Sequence, residues 1–131
     1  MIPVWLTRGL ARLIRRLHRP RPPLIVRTAT VAHALDVPEQ LVPGGAVLVA
    51  RPGFQDWLAF DCPCGTGHRL LMTLSTTRRP HWKMTVGAHD SVTLTPSIDS
   101  YSDHGRCHFW LREGRVSWVQ PPASPETKAT R

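Results

Sequence analysis

Cysteine and histidine crowd into two short stretches of this chain. Phe60-Asp61-Cys62-Pro63-Cys64-Gly65-Thr66-Gly67-His68 and His104-Gly105-Arg106-Cys107-His108-Phe109-Trp110 hold all three cysteines and three of the seven histidines among 131 residues. Thiolate and imidazole are the side chains zinc prefers, and loops distant in sequence can complete one tetrahedral site. Gly65 and Gly67 let the backbone after Cys62 fold back, so that the sulfurs of Cys62 and Cys64 point at one ion. The spacing departs from the usual knuckle, since Pro63 alone separates the two cysteines. Cys107 is the natural third sulfur. His68 leads as the fourth ligand, with His104 close behind. The competing reading is a pair of small buried thiols in a glycine-rich turn.

Two further residues are candidates for a different chemistry. Cys107 and His108 are adjacent, so on a strand their side chains point to opposite faces. If Cys107 is a ligand, His108 is free for another task. Ser97, in Leu94-Thr95-Pro96-Ser97-Ile98, falls between the two cysteine patches. By itself such a serine caps a turn or faces water more often than it attacks a carbonyl. Asp61 and Asp103 are the acids nearest the patches in sequence, and either could orient His108.

The elements that must position these residues are short strands broken by glycine and proline. Segments 24–28, 46–50, 57–61, 69–74, 82–86, 92–95, 107–111 and 116–119 are rich in β-branched and aromatic residues, the composition of strands. Residues 31–41 include a helical turn. Gly114, in Arg112-Glu113-Gly114-Arg115, supplies the positive φ of a tight hairpin. Trp57, Trp82, Trp110 and Trp118 are expected to anchor the core, and His33, His81 and His89 to be surface groups. The fold class is therefore mainly β, a small antiparallel domain over residues 24–119 braced by zinc.

In front of it, Leu6, Leu10, Leu13, Ile14 and Leu17 recur at helical spacing with Arg8, Arg12, Arg15, Arg16 and Arg19 on the other face. The pattern predicts a basic amphipathic helix over residues 4–18 that also takes in Trp5. Pro20, Pro22 and Pro23 end it, so residues 1–23 form a helix and linker. Residues 120–131, with Pro121, Pro122 and Pro125 among small polar residues, read as a disordered tail.

Charge and cysteine usage narrow the function classes. The formal charge of +8 is concentrated in residues 1–27, with seven arginines and no acid; the remainder carries ten basic and nine acidic residues. The body lacks a basic stripe interleaved with aromatics, so nucleic acid is not expected as a partner. The arginine helix packs on its own domain or docks on an acidic protein ahead of any contact with an anionic membrane. Three cysteines, an odd number, argue against a disulfide framework and for reduced thiols in the cytoplasm. No segment reads as a secretory signal or a membrane span.

The run Cys62-Pro63-Cys64-Gly65-Thr66-Gly67-His68, the tryptophan strand His81-Trp82-Lys83-Met84-Thr85, Thr95-Pro96-Ser97-Ile98 and His108-Phe109-Trp110-Leu111-Arg112-Glu113-Gly114-Arg115-Val116 together resemble a small bacterial domain-of-unknown-function family. Its members are encoded beside ubiquitin-like proteins and their activating and conjugating enzymes. The resemblance covers residues 24–119. It implies a peptidase-like accessory protein of a ubiquitin-like conjugation system acting in antiviral defence, with Ser97 as nucleophile and His108 as general base. Its partners would be a ubiquitin-like protein and its activating and conjugating enzymes, and its cofactor Zn2+ on Cys62, Cys64, His68 and Cys107. Members commonly carry cysteine where this chain has Thr66 and Gly105, a departure that leaves three outcomes: the metal retained on a rearranged ligand set, bound weakly, or lost. A zinc that is itself catalytic is a variant of this reading. The alternative is a non-catalytic zinc-binding module that recognises a ubiquitin-like protein or its enzymes; a zinc-ribbon-like nucleic-acid binder ranks last.

Overall fold

In a computed structural model of the chain, residues 24–120 are described. The amphipathic helix expected over residues 4–18, its proline linker and the tail beyond Gln120 lie outside the described residues. Eight strands form two four-stranded sheets: β1 (Val26–Val31), β2 (Gly45–Arg51), β3 (Phe54–Asp61) and β4 (Arg69–Thr73) in one, β5 (Lys83–Val86), β6 (Val92–Ser102), β7 (Gly105–Arg112) and β8 (Arg115–Gln120) in the other. Each sheet is ordered as the chain runs. All neighbours are antiparallel except β1 and β2, which pair in parallel. Parallel neighbours need a crossover, and residues 32–44, with a single 3-10 turn at Ala34–Asp36, supply it.

Alternation along the strands faces one side of each sheet inward. On β7 Cys107, Phe109 and Leu111 are buried while His108 and Trp110 are half-buried. Val92, Leu94 and Ile98 of β6 meet them, and Leu58 and Phe60 of β3 and Leu70 and Met72 of β4 close the core from the other sheet. The fully buried aromatics are Phe60 and Phe109. The four tryptophans expected to anchor the core are only half-buried, and of them Trp82 and Trp118 pack against it. Phenylalanine has no polar atom to satisfy, whereas an indole N–H needs a partner; Trp82 finds one in the Ser97 carbonyl at 3.3 Å.

Two joints hold the sheets to one another. Ile25, just before β1, donates its N–H to Gly114 O (2.8 Å) and accepts from Val92 N (3.1 Å), and Gly114 N donates to Val92 O (2.8 Å). Gly114 turns the β7–β8 hairpin with φ +76, and a Cβ there would come within 3.0 Å of Ile25 O. At the other joint Trp82 N donates to Thr73 O at 2.8 Å.

All eight expected strands form, with one consequential difference at β6. The sequence marks a stop at Thr95-Pro96, but the strand continues to Ser102. Leu94 stands opposite Leu111 and Ile98 opposite Phe109, so Thr95, Pro96 and Ser97 together face Trp110 alone. Such a bulge accommodates a proline that an even ladder would reject. Ser97 thus belongs to a strand rather than to a loop.

Candidate functional site

β7 presents adjacent residues to two different sites. Its inward side chain, Cys107, meets the β3–β4 connection; its outward neighbour, His108, meets the bulge of β6. The alternation expected from the sequence is what the strand makes.

On the inner side, the chain leaving β3 turns tightly at the cysteines. Cys62 N donates to His68 O (2.9 Å) and Gly65 N to Cys62 O (3.3 Å), with positive φ at Gly65 and Gly67. The turn gathers the Cys62 and Cys64 sulfurs and His68 Nε2, and β7 adds Cys107. The four ligand atoms all lie within 4.8 Å of one another. Cys64 Sγ is 3.0 Å and Cys107 Sγ 3.9 Å from His68 Nε2. Cys62 and Cys107 are buried and all three cysteines are free thiols. His104 stands exposed in the β6–β7 turn, its N–H donating to Ser102 Oγ (3.2 Å), away from this cluster.

Burial and the neighbouring thiols set the electrostatics of the cluster. Burial pushes the Cys62 thiol far up, against a hydrogen bond from the Cys64 backbone, and charge on Cys64 and Cys107 adds to the push. Burial raises Cys107 as well. At Cys64 burial acts the same way but is outweighed by hydrogen bonds from the Thr66 hydroxyl and backbone and from the other two thiols, so this thiol is lowered. A bound cation reverses such mutual repulsion and deprotonates coordinating thiols. These four residues could therefore hold a metal ion.

On the outer side, Ser97 Oγ lies 3.0 Å from His108 Nε2. The bulge brings this about by turning Ser97 outward while Ile98 returns to the core. His108 faces Asp99 directly across the ladder. Asp99 is committed elsewhere: Arg106 Nε and Nη2 donate to its two oxygens at 2.7 Å each. Arg106 also reaches Gln120 Oε1 at 3.3 Å and approaches His108 Nδ1 to 3.5 Å. The guanidinium hydrogen bond holds the Asp99 carboxyl below its usual value, and Asp99 raises Arg106 in return.

Neither acid suggested by sequence proximity faces His108. Asp61 pairs with Arg69 at 3.0 Å, and Asp103 is exposed in the β6–β7 turn. Asp99 and Arg106 were missed because the bulge hid the register. Had β6 been continued past Pro96, alternation would have put Ser97 and Asp99 on one face.

A family model described as bacterial ubiquitination-like system serine protease (BubE) matches residues 33–119. No curated protein and no solved structure matches the chain. No helix among the described residues is long and apolar enough to cross a membrane.

Proposed function

The chain belongs to the BubE family of serine proteases of bacterial ubiquitination-like systems, and on that premise we propose that it cleaves acyl bonds at the C-terminus of a ubiquitin-like modifier, with Ser97 as nucleophile and His108 as general base. The observation that carries the reading is the 3.0 Å contact between Ser97 Oγ and His108 Nε2. A serine hydroxyl is a poor nucleophile unless a base stands within hydrogen-bond reach. In the acylation step Ser97 Oγ bonds to the carbonyl carbon as its proton passes to Nε2. The leaving amine or alcohol then departs with that proton, and water releases the acyl group in the second step. Trp82 covers the Ser97 carbonyl, but from Ile98 to Ser102 β6 has no strand beside it on the side away from β7 among the described residues, an open edge along which an extended substrate tail can lie.

The metal of the reading is zinc held by Cys62, Cys64, His68 and Cys107. Tetrahedral Zn–S and Zn–N bonds place ligand atoms about 3.5–3.8 Å apart, and the distances of 3.0 and 3.9 Å to His68 Nε2 bracket that spacing. Four protein ligands leave no open position, so the ion supplies a cross-link between the β3–β4 turn and β7 rather than an activated water. Reduced thiols suit a cytoplasmic setting, with the modifier and its activating and conjugating enzymes as partners.

The test is cleavage of a ubiquitin-like protein from such a system carrying a C-terminal extension, followed by intact mass. Release of the extension by the parent protein, abolished in Ser97→Ala with zinc content unchanged, is the expected result. Cleavage that persists in Ser97→Ala sinks the assignment. Binding of the modifier with no turnover by the parent protein moves the reading to a recognition module.

A further inference from the structure

The outer face of β6 and β7 carries a charged pair for which the Ser97–His108 contact has no use. Asp99 lies two residues from Ser97, on the same face of the strand, and stands directly opposite His108. Opposed side chains on an antiparallel pair have Cβ atoms about 4.5–5.5 Å apart, close enough for a carboxylate to reach an imidazole. Both Asp99 oxygens are instead taken by Arg106 at 2.7 Å, and it is Arg106 Nη2 that approaches His108 Nδ1, at 3.5 Å.

A guanidinium only donates. While the guanidinium stands at Nδ1, 3.5 Å away, it offers no acceptor to hold a proton there. A base must offer Ser97 a lone pair at Nε2, and that requires the proton on Nδ1 with an acceptor to hold it. In this arrangement the acceptor is present, one strand away, but occupied. Asp99 and Arg106 have side-chain exposures of 35% and 39%, so neither is locked by packing. In the same conformation Arg106 also meets Gln120 Oε1 at 3.3 Å and lies over the Tyr101 ring at 5.7 Å, contacts that do not depend on Asp99.

We propose that Asp99 is the positioning residue of His108 and that Arg106 is the latch that withholds it. When Arg106 moves off, the Asp99 carboxylate accepts the His108 Nδ1–H, and Nε2 is left free to accept the Ser97 proton. The inference deepens the assignment of Ser97 and His108 and rests on it.

A fluorophosphonate probe tests it on the full chain without knowledge of the natural substrate. Ser97 Oγ bonds to phosphorus, its proton passes to His108 and fluoride leaves, so the second-order labelling rate reads the strength of the base. Arg106→Met keeps the aliphatic stem and frees Asp99; labelling is expected to rise about tenfold. Asp99→Asn placed in that background should erase the rise. Arg106→Leu, which likewise has no donor for the carboxylate, serves as the second variant should Arg106→Met fold poorly. Nitrogen-15 shifts of the His108 ring, assigned with His108→Gln, should move the ring proton from Nε2 in the parent protein to Nδ1 in Arg106→Met, a change that loss of a merely structural ion pair does not produce. A fall in labelling with both Arg106 variants, or a rise that survives Asp99→Asn, overturns the latch while leaving Ser97 as nucleophile. Absence of Ser97-dependent labelling in every variant removes the assignment beneath it as well.

Discussion

If Cys62, Cys64, His68 and Cys107 hold a metal ion as proposed, stripping it is expected to lower the melting temperature by about 10–30 °C. The magnitude follows from what the cluster joins. His68 and Cys107 are 39 residues apart in sequence, and a cross-link closing a loop of that length removes about 4 kcal/mol of chain entropy from the unfolded state. Part of this is forfeited, because Cys62, Cys64 and His68 lie close in sequence and retain some affinity for the ion after unfolding. A net of about 2–4 kcal/mol remains, and each kcal/mol shifts the midpoint of a domain this size by about 4–8 °C. Thermal unfolding followed by circular dichroism, with and without a strong chelator and under a phosphine reductant, gives the shift directly. Cys107→Ala is the control: it keeps the position apolar and severs the link to β7, so its midpoint should start low and respond little to the chelator. A shift below about 2 °C in the parent protein would refute the cross-link. So would an equal shift in Cys107→Ala, since the ion would then be stabilising the β3–β4 turn alone.

Three further outcomes separate the two faces of β7 and the joints that hold it. His108→Gln placed in the Arg106→Met background should slow Ser97 labelling by a factor of about 10²–10⁴ with no change in zinc by elemental analysis; loss of zinc with it would show that the two sites are not independent. Phe109→Ala removes a fully buried ring that packs at 5.3 Å and 60° on Trp118 and should cost about 3–5 kcal/mol in urea unfolding, against less than about 1 kcal/mol if the core at this point were loosely packed. Gly114→Ala puts a Cβ 3.0 Å from Ile25 O at φ +76 and should cost about 1–3 kcal/mol by the same measurement, an unchanged midpoint being the contrary result.

The strands were legible because their alternation is local. Cys107, Phe109 and Leu111 announce one face of β7 and His108 and Trp110 the other, and Gly114 marks the turn that follows. What the sequence could not disclose is register. Pro96 reads as the end of a strand, and only pairing with β7 shows that three residues are looped out so that Ile98 regains the core. Ending the strand at Thr95 makes Ser97 a loop residue and takes Asp99 off the face it shares with Ser97 and His108, and leaves Asp61 and Asp103 as the acids nearest in sequence. The parallel pairing of β1 with β2 was hidden in the same way, since a crossover is a matter of where a strand returns and not of what it contains.

The rearranged ligand set becomes intelligible once β7 is seen as a ruler with two sides. The family resemblance implies cysteines at the positions of Thr66 and Gly105, whereas the cluster that could hold a metal ion here contains His68 and Cys107. Both substitutes lie two residues further along the chain. On a strand a step of two preserves the face and advances about 6.8 Å, so Cys107 keeps to the inner side that a cysteine at Gly105 would occupy. A step of one would have turned the ligand outward, into the place of Arg106. The matching step on the other arm carries the fourth ligand from the tip of the turn to its base, beside β4, so that the two arms still meet. Thr66 remains in contact, its hydroxyl 3.0 Å from Cys64 Sγ, where it holds a thiol rather than an ion. The arrangement thus moves a metal site along a strand without disturbing the outward neighbour, and it predicts that ligand exchanges in this family occur in steps of two on β7. A functional protein of the family with its β7 ligand at the position of Arg106 or His108 would contradict that reasoning.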